Sequence, residues 1–191
     1  RMNRRTLLTA AGIAPAFIRN LGAAARPNIL WILAEDHGPQ LGCYGYPLVE
    51  TPNIDRLASE GVRYEHAHTT APVCSASRSA FNVGLYQTAT GTHNHRSHRK
   101  DGYRLPAGAK LVSHRLQEAG YFTANVRGEI APGVRGAGKT DFNFNVEDPF
   151  MADHWNQRRK GQPFYAQVNF QATPKGPAFV EARKLPKLID P

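Results

Sequence analysis

A chain of 191 residues is long enough for one globular domain with a core of its own. Its apolar fraction of 41% and charged fraction of 20% exclude wholesale disorder, and 24 Lys+Arg against 15 Asp+Glu leave a formal charge of +9. A basic balance attracts polyanions without choosing between nucleic acid and sulfated polysaccharide, and two cysteines, Cys43 and Cys74, are too few for a disulfide framework.

The first residues read as an export signal rather than as structure. Asn3-Arg4-Arg5-Thr6 gives a charged start with paired arginines, residues 7–18 form a weakly apolar run, and Ala23-Ala24-Ala25 offers a small-residue cleavage site. This is similar to a twin-arginine signal of the bacterial folded-protein route, and it sets an expectation of a periplasmic or secreted protein. Gly12, Pro15 and Arg19 break the run well short of membrane-spanning length, so no stable membrane insertion is expected. Residues 1–25 are therefore assigned to the signal and 26–191 to one domain.

From Arg26 the pattern becomes α/β. Residues 28–34 are continuously apolar after Asn28 and run into Glu35-Asp36, which predicts a strand buried on both faces with acids at its carboxyl end. In open α/β sheets that end is where ligands bind. Residues 41–48, with Gly42, Gly45 and Pro47, predict a loop. A helix follows from Thr51 as N-cap with Pro52 in the first turn, Ile54, Leu57 and Ala58 facing inward, and Gly61 as its stop. Residues 62–66 can form a short strand. Helices are predicted over 75–83, closing at Gly84, and over 109–119, with Leu111, Val112 and Leu116 inward. Residues 121–126 and 164–170 read as strands, and the basic, Gly-rich 127–139 as a loop. Strands alternating with helices imply a mostly parallel central sheet flanked by helices.

Three constellations carry chemistry. The adjacent carboxylates Glu35 and Asp36 sit where a hard divalent cation collects oxygen ligands. Cys74-Ser75-Ala76-Ser77-Arg78 places a nucleophile at a helix start, among unsatisfied N–H groups and the positive end of the dipole, with an arginine one turn on. Gly138-Lys139-Thr140-Asp141 supplies a lysine from a loop. His93, His95 and His98, in Gly91-Thr92-His93-Asn94-His95-Arg96-Ser97-His98, match no firm zinc pattern, and they fit either a loop lending donor groups to a substrate or plain surface histidines.

Together these residues resemble type I sulfatases of the alkaline-phosphatase-like superfamily. The resemblance implies that Cys74 is oxidised after translation to formylglycine by a dedicated maturase. It also implies that Glu35, Asp36 and position 74 ligate calcium (or magnesium), and that Arg78 and Lys139 serve the nucleophile and the sulfate. His93, His95 and Asp141 would then approach the substrate, a sulfate ester, with a sulfated carbohydrate favoured by the export signal and the basic loops. The family's usual motif has Pro where this chain has Ala76, and a histidine where it has Asp141.

The likeness runs from about Pro27 to Phe170, the N-terminal portion of such proteins. Family features expected later, an Asp-Asn pair and a second lysine, have no counterpart, and Gln171-Ala172-Thr173-Pro174 lacks the histidine common after the last strand. The reading at this stage is thus an incomplete sulfatase. Its rivals are a phosphatase or phosphodiesterase of the same superfamily, or a non-catalytic polyanion-binding module. No nucleic-acid recognition motif is present.

Overall fold

The structure, a computed structural model, describes residues 26–170. The export-signal reading on residues 1–25 and the readings on residues after Phe170 lie outside the described residues. Four strands, β1 (Ile29–Leu33), β2 (Phe122–Ala131), β3 (Val134–Ala137) and β4 (Phe164–Asn169), form one sheet in the order β1-β4-β2-β3. β4 runs parallel to both neighbours, with Ile29 opposite Tyr165 and Phe122 opposite Phe164, while β3 returns antiparallel along β2. Helices α1 (Pro52–Glu60), α2 (Cys74–Val83) and α3 (Val112–Glu118) lie in the connections between β1 and β2. The α/β architecture with a mostly parallel sheet is the expected one.

The period-2 alternation of the central strands separates two buried faces. Phe122, Ala124 and Val126 lie level with Phe164, Ala166 and Val168 and make an apolar layer, closed by Ala152, Trp155 and Phe170. The other face carries Thr123, Asn125, Tyr165, Gln167 and Asn169, all buried. Polar groups inside a protein need partners. Gln117 of α3 donates to Thr123 Oγ1 at 2.7 Å, and Asn169 Nδ2 donates to Asn125 Oδ1 at 3.1 Å. A second apolar cluster, Val83, Leu111, Phe142 and Phe144, joins the end of α2 to the start of α3. α2 stops where Gly84 takes a left-handed conformation (φ 73°) and donates to Ala80 O.

Five expectations need correction. Among the described residues β1 lies at the edge of the sheet, not buried on both faces: Ile29, Leu30 and Ile32 are 37%, 49% and 55% exposed. Only Trp31 and Leu33 are partly covered, Trp31 against Phe81 with ring centroids 4.8 Å apart. In α1, Ile54 and Leu57 are exposed while Asp55 turns inward. The Asp55 carboxylate accepts from Cys43 N (2.7 Å) and from the Thr51 hydroxyl (2.8 Å), so Thr51 ties the helix to the turn at Gly42–Tyr44 instead of capping it. A side chain at Gly42 would collide with that carboxylate, at 2.4 Å from Asp55 Oδ2. Residues 62–66 form no strand.

The fourth correction concerns residues 127–139. β2 continues to Ala131, turns at Pro132-Gly133 and pairs back through β3. Of the glycines that suggested a loop, Gly133 makes the turn with φ 76°, while Gly136 serves close backbone approach: a Cβ there would lie 2.4 Å from Val126 O. The third helix also begins at Val112 rather than 109, with Leu111 buried just ahead of it.

Candidate active site

β1 delivers Glu35 and Asp36 to the rim of a cleft of about 990 Å³, whose lining also includes His37, His68, Cys74 and Arg78. Cys74 is the first residue of α2, after Val73 in an extended conformation. Its thiol is partly buried and unbridged, at a ten-residue helix's positive end. Arg78 lies one turn further on the same helix, and its side chain is only 4% exposed. Burial pulls the Arg78 guanidinium below its ordinary value, and the neighbouring Glu35 carboxylate pulls it back up.

Glu35 is the centre of this arrangement. Arg78 Nη2 donates to Glu35 Oε1 at 2.5 Å, and Lys139 Nζ donates to Glu35 Oε2 at 2.6 Å. Arg78 Nη1 and Asn169 Nδ2 both donate to Lys139 O, at 3.2 and 3.3 Å. Residues from β1, α2, the segment after β3 and the end of β4 therefore meet at one point. The carboxyl ends of the parallel strands supply the position, as the expected topology requires.

A second layer lies beside the first. The Asp141 side chain, 2% exposed, receives Arg96 Nε and Nη2 at 3.2 Å each, pairs with Arg99, and stands 3.7 Å from Lys139 Nζ. Ser75 Oγ accepts from Arg96 N (2.9 Å) and meets His95 Nδ1 (2.9 Å). Burial, then the cations Arg96, Arg99 and Lys139, hold His95 below the ordinary histidine value. His98 differs: both ring nitrogens face acceptors, Asp101 Oδ2 at 2.7 Å and Gly91 O at 2.8 Å, which raises its pKa.

Buried Asn143 fastens this loop to α2. Its Nδ2 donates to Asn94 O (2.6 Å) and Thr92 O (3.2 Å), its Oδ1 accepts from His98 N (2.8 Å), and its backbone N–H donates to Ser79 Oγ (2.9 Å).

Of the residues expected from the sequence, Glu35, Arg78 and Lys139 are joined directly. Cys74 and Asp36 share the cleft with Glu35 and Arg78, and Asp141 joins through Lys139. His95 and His93 are both exposed on the loop, and of the two His95 touches the residue next to Cys74. Arg96, Arg99 and Asn143 escaped the sequence reading. The run of histidines drew attention from the arginines between them, and an asparagine between two phenylalanines gives no chemical signal.

A divalent cation of the calcium type needs several oxygen donors. Glu35 and Asp36 have the right chemistry, but no group of three His, Cys, Asp or Glu side chains able to hold a metal gathers among the described residues. Both Glu35 oxygens already receive cationic side chains. The described residues alone do not complete such a site.

The fold is α/β, and the acidic and cationic side chains of the cleft gather at the carboxyl ends of its parallel strands. A Sulfatase family model matches residues 27–165, and the chain belongs to the sulfatase family. It is 32% identical over 161 residues to the ulvan-active sulfatase of Formosa agariphila, covering 78% of this chain and 25% of that protein. It is 40% identical over 129 residues to human arylsulfatase D, with 62% and 21% covered. Human N-acetylgalactosamine-6-sulfatase is 36% identical over 108 residues, with 52% and 21% covered. Among solved structures, a 2-O GAG sulfatase superposes with a TM-score of 0.59 at 21% identity, over 76% of this chain and 35% of that one. A protein solved in complex with its substrate D-glucosamine-2-N,6-O-disulfate gives 0.60 at 20%, over 78% and 35%. These superpositions show a shared fold. The chain spans about a quarter of the length of the curated relatives it matches. No helix among the described residues is long and apolar enough to cross a membrane.

Proposed function

We propose that this chain carries the nucleophile-bearing part of a sulfate-ester hydrolase acting on a sulfated carbohydrate, with Cys74 converted to formylglycine by an oxidising maturase. One observation carries the reading. Cys74 opens a helix at the cleft, and Glu35 clamps Arg78 and Lys139 beside it.

A hydrated aldehyde at position 74 would supply two geminal hydroxyls: one attacks sulfur and displaces the ester's alcohol, which takes up a proton, and deprotonation of the other expels sulfate as the carbonyl reforms. The N-terminal N–H groups of α2 and its dipole face the anion. Arg78 is a cation fixed in orientation by Glu35, with little freedom left to lose on binding. Lys139, 25% exposed, spends one of its three N–H donors on Glu35 and can turn the others toward sulfate. Glu35 and Asp36 would contribute oxygens to a divalent cation, calcium or magnesium, completed by groups beyond those described. Such an ion would neutralise sulfate charge and acidify a bound hydroxyl.

A carbohydrate substrate is supported by the ulvan-active and N-acetylgalactosamine-6-sulfatase relatives. Export to the periplasm or medium, from the paired arginines of residues 1–25, belongs to the same reading.

The test is peptide mapping of the full chain co-produced with a formylglycine-generating maturase. The Cys74 peptide should lose one sulfur and two hydrogens and gain one oxygen. Release of sulfate from a sulfated sugar should require that change and vanish in Cys74→Ala. An unaltered thiol in every preparation refutes the proposal.

A further inference from the structure

We infer that Arg96 and Arg99, fixed on the buried carboxylate of Asp141, form a second anion subsite beside the reacting centre. It takes an acidic group of the substrate other than the ester being cleaved: a second sulfate, or a carboxylate on the sugar. The inference rests on the reading of the cleft as a sulfate-ester site and names the class of substrate that site accepts.

The ion pairs around Asp141 and Glu35 carry more positive than negative charge. Arg96, Arg99 and Lys139 all address Asp141, and Lys139 also shares Glu35 with Arg78. These ion-paired groups comprise four cations and two carboxylates, which leaves two positive charges in surplus. Neutralising one buried carboxylate needs one guanidinium in bidentate contact, and Arg96 alone supplies that. Arg99 exceeds what the fold requires.

The Asp141 side chain is 2% exposed, yet those of Arg96 and Arg99 are 46% and 44% exposed. Each guanidinium carries five N–H donors, and Arg96 commits two of them, Nε–H and one on Nη2, to Asp141. The rest of the fork is held in a fixed orientation with a wet outer edge, a geometry suited to planar carboxylate or to sulfate oxygens.

Arg96 N donates to Ser75 Oγ, on the residue that follows Cys74, and Lys139 links the Asp141 cluster to Glu35 at the cleft. Arg96 also holds a left-handed backbone at φ 57°, as Asp141 does at φ 49°. Non-glycine residues keep that conformation only where surrounding contacts impose it, and such residues concentrate at ligand clamps.

The test is calorimetric binding of the full chain to four probes: inorganic sulfate, glucosamine 6-O-sulfate, D-glucosamine-2-N,6-O-disulfate and a uronic acid 2-O-sulfate. One of the two doubly charged sugars should bind the native chain about tenfold or more tightly than glucosamine 6-O-sulfate, as a charge-assisted pair implies. Which one does so identifies the second group as sulfate or carboxylate. Arg96→Gln with Arg99→Gln should abolish that advantage and weaken inorganic sulfate at this second subsite, while affinity for glucosamine 6-O-sulfate stays within about twofold of the native value. Arg99→Gln alone, which keeps Arg96 and Lys139 on Asp141, should reduce it in a chain with an unaltered thermal transition. Equal binding of all three sugars by the native chain overturns the inference, as does an advantage that survives in Arg99→Gln and the double variant. An arginine-dependent advantage in a chain whose Cys74 never reacts would sink the hydrolase reading and leave the subsite standing.

Discussion

Arg96 and Asp141, 45 residues apart in the chain, form a two-point ion pair in which both partners hold left-handed backbone. Each such conformation costs a non-glycine residue roughly 1–2 kcal/mol. The contacts that offset it are the two-point pair itself, Lys139 on the carboxylate and Ser75 on the Arg96 backbone. Asp141→Asn keeps the shape and removes the charge. We expect a loss of about 1–3 kcal/mol, the lower part of that range reflecting the half-exposed arginines that water can satisfy. Urea denaturation would measure it, and an unchanged midpoint would show that the pair contributes nothing.

Arg78→Ala tests the clamp at Glu35. The substitution leaves a carboxylate that is 9% exposed with Lys139 as its remaining cationic partner in the clamp. Removing one member of a buried pair costs about 3–5 kcal/mol when the other is stranded. Because Lys139 stays, the expected loss falls near the bottom of that range. Arg78→Lys should recover less than half of it, since an ammonium lacks the fork that reaches Glu35 and Lys139 O together.

His95 and His98 should titrate on opposite sides of 6.5 in an NMR pH series. The His98 value is raised, chiefly by its hydrogen bond to Asp101, so that clamp contributes fully below 6.5 and is lost as pH climbs through the elevated midpoint. His95 is lowered by burial and by three nearby cations. As pH falls below 6.5, the unfolded chain binds a proton that folded His95 refuses, so stability declines until the depressed midpoint is passed. Two coincident midpoints would contradict the contacts described.

Asn143→Ala removes the side chain that joins residues 92–98 to one another. The carbonyls of Thr92 and Asn94 and the N–H of His98 each lose a partner in or near the interior. A cost of about 2–4 kcal/mol follows from leaving such groups unsatisfied. Hydrogen exchange should rise first at His98, whose amide loses its acceptor. Uniformly fast exchange across the sheet would point instead to general unfolding.

Much of this architecture was legible because chain pattern and chemistry agree. The runs at 28–34, 121–126 and 164–170 are strands, and the helix opened by Cys74 ends at Gly84 as its sequence implies. Meeting points across the chain were harder. Glu35, Arg78 and Lys139 could be suspected singly, but that one carboxylate bridges the two cations is a fact of three-dimensional placement. Local chemistry misled at the glycines of 127–139, where freedom to turn and freedom to approach look alike. It misled again at β1, where an apolar run records what a strand can bury, not whether anything covers it.

The pairing of β1 with β4 has a consequence for how the protein is made. Ile29 waits for Tyr165, and Asn28 for the amide of Phe164, 136 residues later. At roughly 5–20 residues per second, the first strand is made about 7–27 seconds before its neighbour exists. During that interval Ile29, Leu30 and Ile32 have no sheet to join, and a nascent-chain chaperone holding them would keep them from pairing with the wrong strand.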